Sequence, residues 1–331
     1  MTAGHANISV FVPHIGCPNM CSFCNQRYIT GTFKAPLKSD VVNAVETAVK
    51  SSRYDPHNTE IAFFGGSFTA INRNYMTELL KTAYTYVKNG TVRGIRISTR
   101  PDAIDDEIIS ILRSYGVTSI ELGAQSMSDR VLKMNNRGHS VEDVVRSSEM
   151  IKQAGFELGL QMMTGLYGDT DELALKTAET IIKLSPDTVR IYPTIVLKGT
   201  DLAALYSDNK YQPQTLEDAV SLCTVLYKKF TDNGIRVIRL GLHSIENEAY
   251  IAGPWHPAFS ELCQSQIMLE KALETLAEKG KYIIYVSSGS VSKMVGQKRK
   301  NINTLKAKGY DCRIKATPEL KDFEIRVEKE V

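Results

Sequence analysis

The chain predicts an α/β fold, a partial TIM-like barrel of the (β/α)6 type with a small C-terminal β-α-β-β appendage. Three observations predict it. Strand-like and helix-like segments alternate from the N-terminus to about residue 240, the pattern of parallel strands joined by right-handed crossovers. Periodicity over that stretch counts about seven strands and six helices, short of eight full units, so the barrel is expected to be open. Beyond residue 240 the alternation stops and the charge changes character.

In chain order, residues 8–12 are a short apolar strand. Residues 39–50 have helical spacing, with Val41, Val42, Val45 and Val49 on one side. A strand at 61–64 ends in Gly65-Gly66, and a helix covers 72–88. Strands at 94–98, 119–122, 156–163, 188–192 and 236–240 alternate with helices at 105–115, 141–154, 171–184 and 216–233. Residues 241–259 read as a loop or lid holding the single tryptophan, Trp255, and 261–279 as an amphipathic helix. A strand at 282–286, a basic helix within 291–308 and strands near 312–315 and 323–327 complete the appendage. The expected organisation is a barrel over 1–240, a lid loop and bridging helix over 241–280, and a small basic module over 281–331.

The 331 residues are 43% hydrophobic and 23% charged, enough apolar material for one large core. No apolar run approaches the roughly 18 residues that span a membrane. Residues 1–7 are small and polar, without the apolar stretch of an export signal. The expected location is cytoplasmic. Cys223, Cys263 and Cys312 are scattered and read as small buried hydrophobes. The net charge of +3 conceals a split: residues 279–331 carry thirteen Lys and Arg against six Asp and Glu. A basic tail on a mildly acidic body suits a polyanion, although a solvated basic face explains it equally well.

The chemistry lies near the start. Cys17, Cys21 and Cys24 are spaced Cys-x3-Cys-x2-Cys, with Phe23 just before the last. Three thiolates on one short loop can hold three irons of a cubane [4Fe-4S] cluster and leave the fourth iron open. A zinc site is the competing reading, with His14 as fourth ligand, but the spacing lacks a second matched pair. A disulfide would leave one cysteine over. The loop follows the first strand and so falls on the C-terminal face of the sheet, where barrel chemistry sits.

Other candidate residues close later strands on that face. Gly65 and Gly66, followed by Ser67, end the second strand, where two glycines let backbone approach a ligand. Arg100 follows the third strand and can pair with a carboxylate. Gln125 and Ser126 follow the fourth and point polar groups into the mouth. Gly165 follows the fifth. Tyr192 ends the sixth, with Lys198 just beyond, and these two are the candidates for substrate contact. Gly296 to Asn301, a Gly-Gln-Lys-Arg-Lys-Asn run at a helix start in the appendage, suits phosphate.

Taken together, these runs resemble the radical S-adenosylmethionine (radical SAM) superfamily. Gly-Gly-Ser-Phe-Thr (65–69), Thr-Arg-Pro-Asp (99–102), Glu-Leu-Gly-Ala-Gln-Ser (121–126), Asn-Arg-Gly-His (136–139) and Tyr-Pro-Thr-Ile-Val-Leu-Lys-Gly-Thr (192–200) are similar to the radical domain of the Elongator catalytic subunit, over about residues 8–240. The resemblance implies a [4Fe-4S] cluster on Cys17, Cys21 and Cys24, and S-adenosylmethionine as cofactor. The Gly65-Gly66-Ser67 turn would take the methionine amino group, Arg100 its carboxylate, Gln125 and Ser126 the ribose, and Phe23 and Gly165 the adenine. It also implies a one-electron donor such as flavodoxin or ferredoxin, and tRNA as a candidate substrate. Three departures stand against a full carry-over: the shorter gap between the first two cysteines, too few residues after 240 for an acetyltransferase domain, and no basic N-terminal extension.

The leading expectation is therefore a radical SAM enzyme that splits S-adenosylmethionine to a 5′-deoxyadenosyl radical, with RNA modification as its use. A radical SAM enzyme acting on a small molecule, as coproporphyrinogen oxidases do, is the second. A non-catalytic haem-binding relative of those oxidases, with His5, His14 or His139 as ligand, is the third.

Overall fold

The computed structural model describes residues 5–13, 17, 20–25, 34–242 and 248–330. Seven strands form one sheet: β1 (Ala6–Val12), β2 (Thr59–Gly65), β3 (Gly94–Thr99), β4 (Val117–Gln125), β5 (Glu157–Thr164), β6 (Thr188–Pro193) and β8 (Arg236–Leu240). Every pairing is parallel and each strand lies beside its predecessor in sequence, in the order β1-β2-β3-β4-β5-β6-β8. β7 (Val196–Leu197) leaves the sheet. The six expected helices are present as Lys38–Ala48, Arg73–Lys88, Asp106–Ser114, Val141–Gln153, Asp171–Leu184 and Leu216–Asp232. Asn72, Asp105, Ser140, Thr170 and Thr215 stand just outside five of them, and each side chain accepts a first-turn N–H. Two short helices that the periodicity did not register, Asp129–Met134 and Asp201–Ser207, follow β4 and β7.

Each strand turns alternate residues to opposite faces. Ile61 and Phe63, Ile95 and Ile97, Ile120 and Leu122, and Val189 and Ile191 face outward and pack with the helices in one core. The intervening residues face the lumen, and many are charged. Arg96 bridges Glu60 (3.0 Å), Glu121 (3.0 Å) and Glu157 (3.3 Å). Arg190 pairs with Glu121 at 2.8 Å. Glu60 also takes Arg93 at 3.1 Å and the Thr118 hydroxyl at 2.7 Å. Glu121 links Arg96 to Arg190 in this network.

Burial pushes the Glu60 carboxyl up, but Arg96, Thr118 and Arg93 outweigh it and hold it below its ordinary 4.5. Its contribution to stability is therefore complete above pH 4.5 and is lost as pH falls through the lower folded value. An acid titration followed by circular dichroism should show wild type losing stability in that window, and Glu60→Gln should flatten this component of the curve.

Past β8 comes β9 (Tyr250–Ala252), which pairs antiparallel with β7 and ties that stretch to the segment after β6. The expected helix at 261–279 is Phe259–Thr275; its end is set by β10 (Gly280–Val286) beginning soon after. Phe259 and Cys263 belong to the main core, while Met268, Leu269, Ala272 and Leu276 join a second core with Ile284, Val286, Met294 and Leu305. One helix thus has a share in both. β11 (Tyr310–Ala316) runs parallel to β10 and β12 (Ile325–Lys329) antiparallel. The single basic helix expected within 291–308 is broken into Val291–Val295 and Lys300–Ala307. Lys298 and Arg299 take positive φ between them (49° and 61°), and the buried Asn301 side chain donates to Ser265 O and Lys293 O at 2.8 and 3.2 Å.

Candidate functional site

The parallel strands place their C-terminal ends at one rim, where the described residues of the cysteine loop meet the turns after β4 and β7. These residues are gripped from both sides. Ser22 is buried; its N–H and hydroxyl donate to Asn135 O (3.1 Å) and Oδ1 (2.8 Å). Arg137 Nη1 donates to Cys21 Sγ at 3.0 Å. The Ser22 carbonyl accepts from Leu202 N–H at 2.8 Å, and Asn25 Nδ2 donates to Lys198 O at 3.1 Å.

Burial and the neighbouring cysteines push the Cys24 thiol up to about 12. Burial, then Cys21, raise Cys17, against Ser67, Arg137 and Arg100. The thiols are thus close enough to feel one another's charge. Among the described residues no three His, Cys, Asp or Glu side chains converge on a point that could hold one metal ion. His14, the fourth ligand in the zinc reading, lies outside the described residues.

Gly65 has φ +111°, and a Cβ there would lie 2.5 Å from Val12 O; Gly66 donates to the same oxygen at 2.6 Å. The pair therefore lets the end of β2 lie against the end of β1, where the cysteine loop starts. Gly65→Ala is expected to cost about 2 kcal/mol or more, from positive φ plus a backbone clash. Gly90→Ala, also at positive φ (+74°) but with nothing within 4 Å of the new carbon, controls for the φ component. Equal losses in chemical denaturation would show that the close approach contributes nothing.

Ser67 Oγ lies 2.8 Å from Thr99 Oγ1 and accepts from Arg100 N–H at 3.0 Å. The Arg100 side chain is buried, paired with Asp102, and donates to Arg137 O at 3.3 Å. Gln125 takes a positive φ of 65° and its Oε1 accepts from Gln161 at 3.0 Å. Strain of this kind collects at functional sites. The Ser126 hydroxyl is buried without a partner among the described residues. Gly165 (φ +68°) faces the Gln214 side chain, 2.8 Å from where a Cβ would stand, and its carbonyl accepts from Tyr211 at 2.6 Å. Gln214 thus occupies the side of Gly165 that was expected to be open to adenine.

Phe23 and Tyr192 pack against the same small cluster of Val131, Met163 and Leu166. Arg190 Nη1 donates to the Tyr192 oxygen at 3.4 Å, linking it to the lumen network. The Lys198 side chain is exposed, and its backbone is engaged by Asn25 and by Ala249. His5 pairs with Glu60 below the start of β1, whereas His139 is buried and bonded to Ala124 O at the far end of β4. Burial and Arg137 push the His139 imidazole down to about 4, leaving it neutral.

Asn135, Arg137, Thr99 and Gln161 were not among the residues expected at the site. The run at 136–139 pointed to the turn that holds two of them, but without assigning a role to any side chain.

Residues 11–181 match the Radical SAM superfamily and residues 186–270 the radical SAM C-terminal domain. A tRNA uridine(34) acetyltransferase of Methanocaldococcus infernus is 33% identical over 129 residues, 38% of this chain and 24% of that protein. Elongator complex protein 3 of Homo sapiens is 27% identical over 196 residues, 53% of this chain and 36% of that protein. The chain spans well under half the length of either. The solved archaeal M. infernus Elp3 lacking residues 1–46 superposes with a TM-score of 0.67 at 24% identity, covering 82% of this chain and 64% of that one. The open parallel barrel is therefore a shared fold.

Proposed function

The chain belongs to the radical SAM superfamily, and from that premise we propose that it is an iron–sulfur enzyme that cleaves S-adenosylmethionine reductively and directs the radical at RNA, with tRNA as the substrate class. The observation that carries the proposal is the cysteine loop, held at the barrel mouth by Asn135 and Arg137. A [4Fe-4S] cluster on three thiolates supplies an open iron and one-electron reduction of the bound sulfonium.

This chain's residues do the rest. Cys17, Cys21 and Cys24 hold the cluster. The Gly65–Ser67 turn and Arg100 receive the amino acid end of the cofactor, the Ser126 hydroxyl, without a partner among the described residues, and Gln125 the ribose, and Phe23 with Gly165 the adenine, once Gln214 moves aside. Tyr192 and Lys198 stand toward the substrate. A flavodoxin- or ferredoxin-type protein in the cytoplasm supplies the electron. No helix among the described residues is long and apolar enough to cross a membrane.

Two features support RNA. Relatives from M. infernus, M. jannaschii and Dehalococcoides mccartyi are named tRNA uridine(34) acetyltransferase. And Lys298, Arg299, Lys300, Lys306 and Lys308 are all exposed, with no ion-pair partner among the described residues, in a stretch from 279 to 310 that contains no acidic residue. Two measurements test the reading. Anaerobically reconstituted protein given a reductant and S-adenosylmethionine should release 5′-deoxyadenosine. Total tRNA should be retained at low salt and lost steeply as salt rises, since each phosphate contact adds about −0.7 to −0.9 to the log–log slope. Cofactor cleavage without tRNA retention would move the substrate to a small molecule.

A further inference from the structure

We propose that Arg137 is a positioning residue that sets the reduction potential of the iron–sulfur cluster. The proposal rests on the reading of Cys17, Cys21 and Cys24 as cluster ligands. Arg137 is fixed at four points. Nη1 donates to Cys21 Sγ at 3.0 Å and Nη2 to Gly123 O at 2.7 Å. Its N–H donates to Leu132 O at 3.0 Å, and its carbonyl accepts from Arg100 Nη2 at 3.3 Å.

The surroundings are built to keep it there. Asn136 and Gly138 on either side both take positive φ, 53° and 72°, which turns the chain toward the cysteine loop. Gly123 leaves the guanidinium room: a Cβ at that position would sit 3.2 Å from Nη2. Asn135, fully buried, fixes the adjoining Ser22. Arg137 is itself half-buried, so solvent screens its charge only in part.

Among the described residues no carboxylate pairs with Arg137, whereas nearby Arg100 has Asp102. The Arg137 charge is therefore left to act on the thiolate sulfur. Hydrogen bonds to cluster sulfurs and nearby positive charge favour the state that carries one more electron and so raise the potential. Arg137 would ease transfer of that electron from the external donor protein. A residue that only braced the loop would affect how much cluster is held and leave its potential alone.

The test compares wild type, Arg137→Lys and Arg137→Gln after anaerobic reconstitution. Iron and sulfide are counted per chain, and the midpoint is read by a redox titration monitored by electron paramagnetic resonance. The expected result is a full cluster in Arg137→Gln with the equilibrium constant for one-electron reduction lowered about tenfold, which is ~59 mV, and Arg137→Lys between the two. The wild-type midpoint in every variant that loads, or failure of both variants to load, overturns the proposal. Wild type that takes up no iron and sulfide overturns the cluster assignment itself and Arg137's role with it, a result separable from the others because it appears before any substitution.

Discussion

Cys21→Ala protein, reconstituted anaerobically with iron and sulfide, is expected to bind neither in stoichiometric amount and to release no 5′-deoxyadenosine above background. With only Cys17 and Cys24 left, two corners of the cube lack a protein ligand, and the cofactor cannot replace a thiolate. The fold should survive. Cys21 is half-exposed, and the substitution removes one hydrogen bond from Arg137, worth about 1 kcal/mol. An unchanged far-ultraviolet spectrum beside a missing brown chromophore is therefore the expected pair of readings. A variant that kept its sulfide would sink the assignment, and wild type purified with one zinc and no sulfide would return the loop to the zinc reading.

Legibility in the sequence followed physical range. The strands were readable because Ile61 and Phe63, or Ile95 and Ile97, alternate with different neighbours at a period of two. The longer helices were readable from their apolar stripes. What escaped was short or non-local. Asp129–Met134 and Asp201–Ser207 are too brief to express a helical period. β9 is three residues whose only reason to be extended is β7, more than fifty positions earlier. The break at Lys298 and Arg299 was hidden because neither is a glycine, and the device that stabilises it, Asn301 against Ser265, joins distant segments.

The site divides in the same way. Gly65-Gly66, Ser67 and the cysteines are local signals, and the structure brings them to one rim. Arg137 lies 116 positions from the thiol it touches, and only the packing of the turn after Met134 reveals the contact. The lumen charges were individually visible, but Glu60, Arg96, Glu121 and Arg190 lie on four different strands, and their pairing emerges only when β2 to β6 are placed side by side. Parallel sheets covered on both faces usually carry continuous apolar strands. Here the inner face is covered by ion pairs, which is why alternation survived in the sequence.

That inner network carries the second large expected effect. Arg96→Met should lower the free energy of unfolding by about 3–5 kcal/mol, because breaking a buried pair strands its partners rather than merely deleting an attraction. The Glu60 side chain has no solvent exposure and that of Glu121 only 7%. Arg93 and Thr118 still serve Glu60, and Arg190 still serves Glu121, which places the loss toward the lower end of the range. The loss should also depend on pH in a defined sense. In wild type, Arg96 helps hold Glu60 below 4.5. Without it the burial penalty dominates, the folded-state value moves up, and protonation relieves the stranded charge. The gap between variant and wild type should therefore narrow as pH falls from neutral through 4.5, and Arg96→Met combined with Glu60→Gln should recover part of the loss at pH 7. A gap that stayed constant from pH 7 to pH 4 in urea melts would mean that Arg96 acts through packing of its stem, with the carboxylates indifferent to its charge.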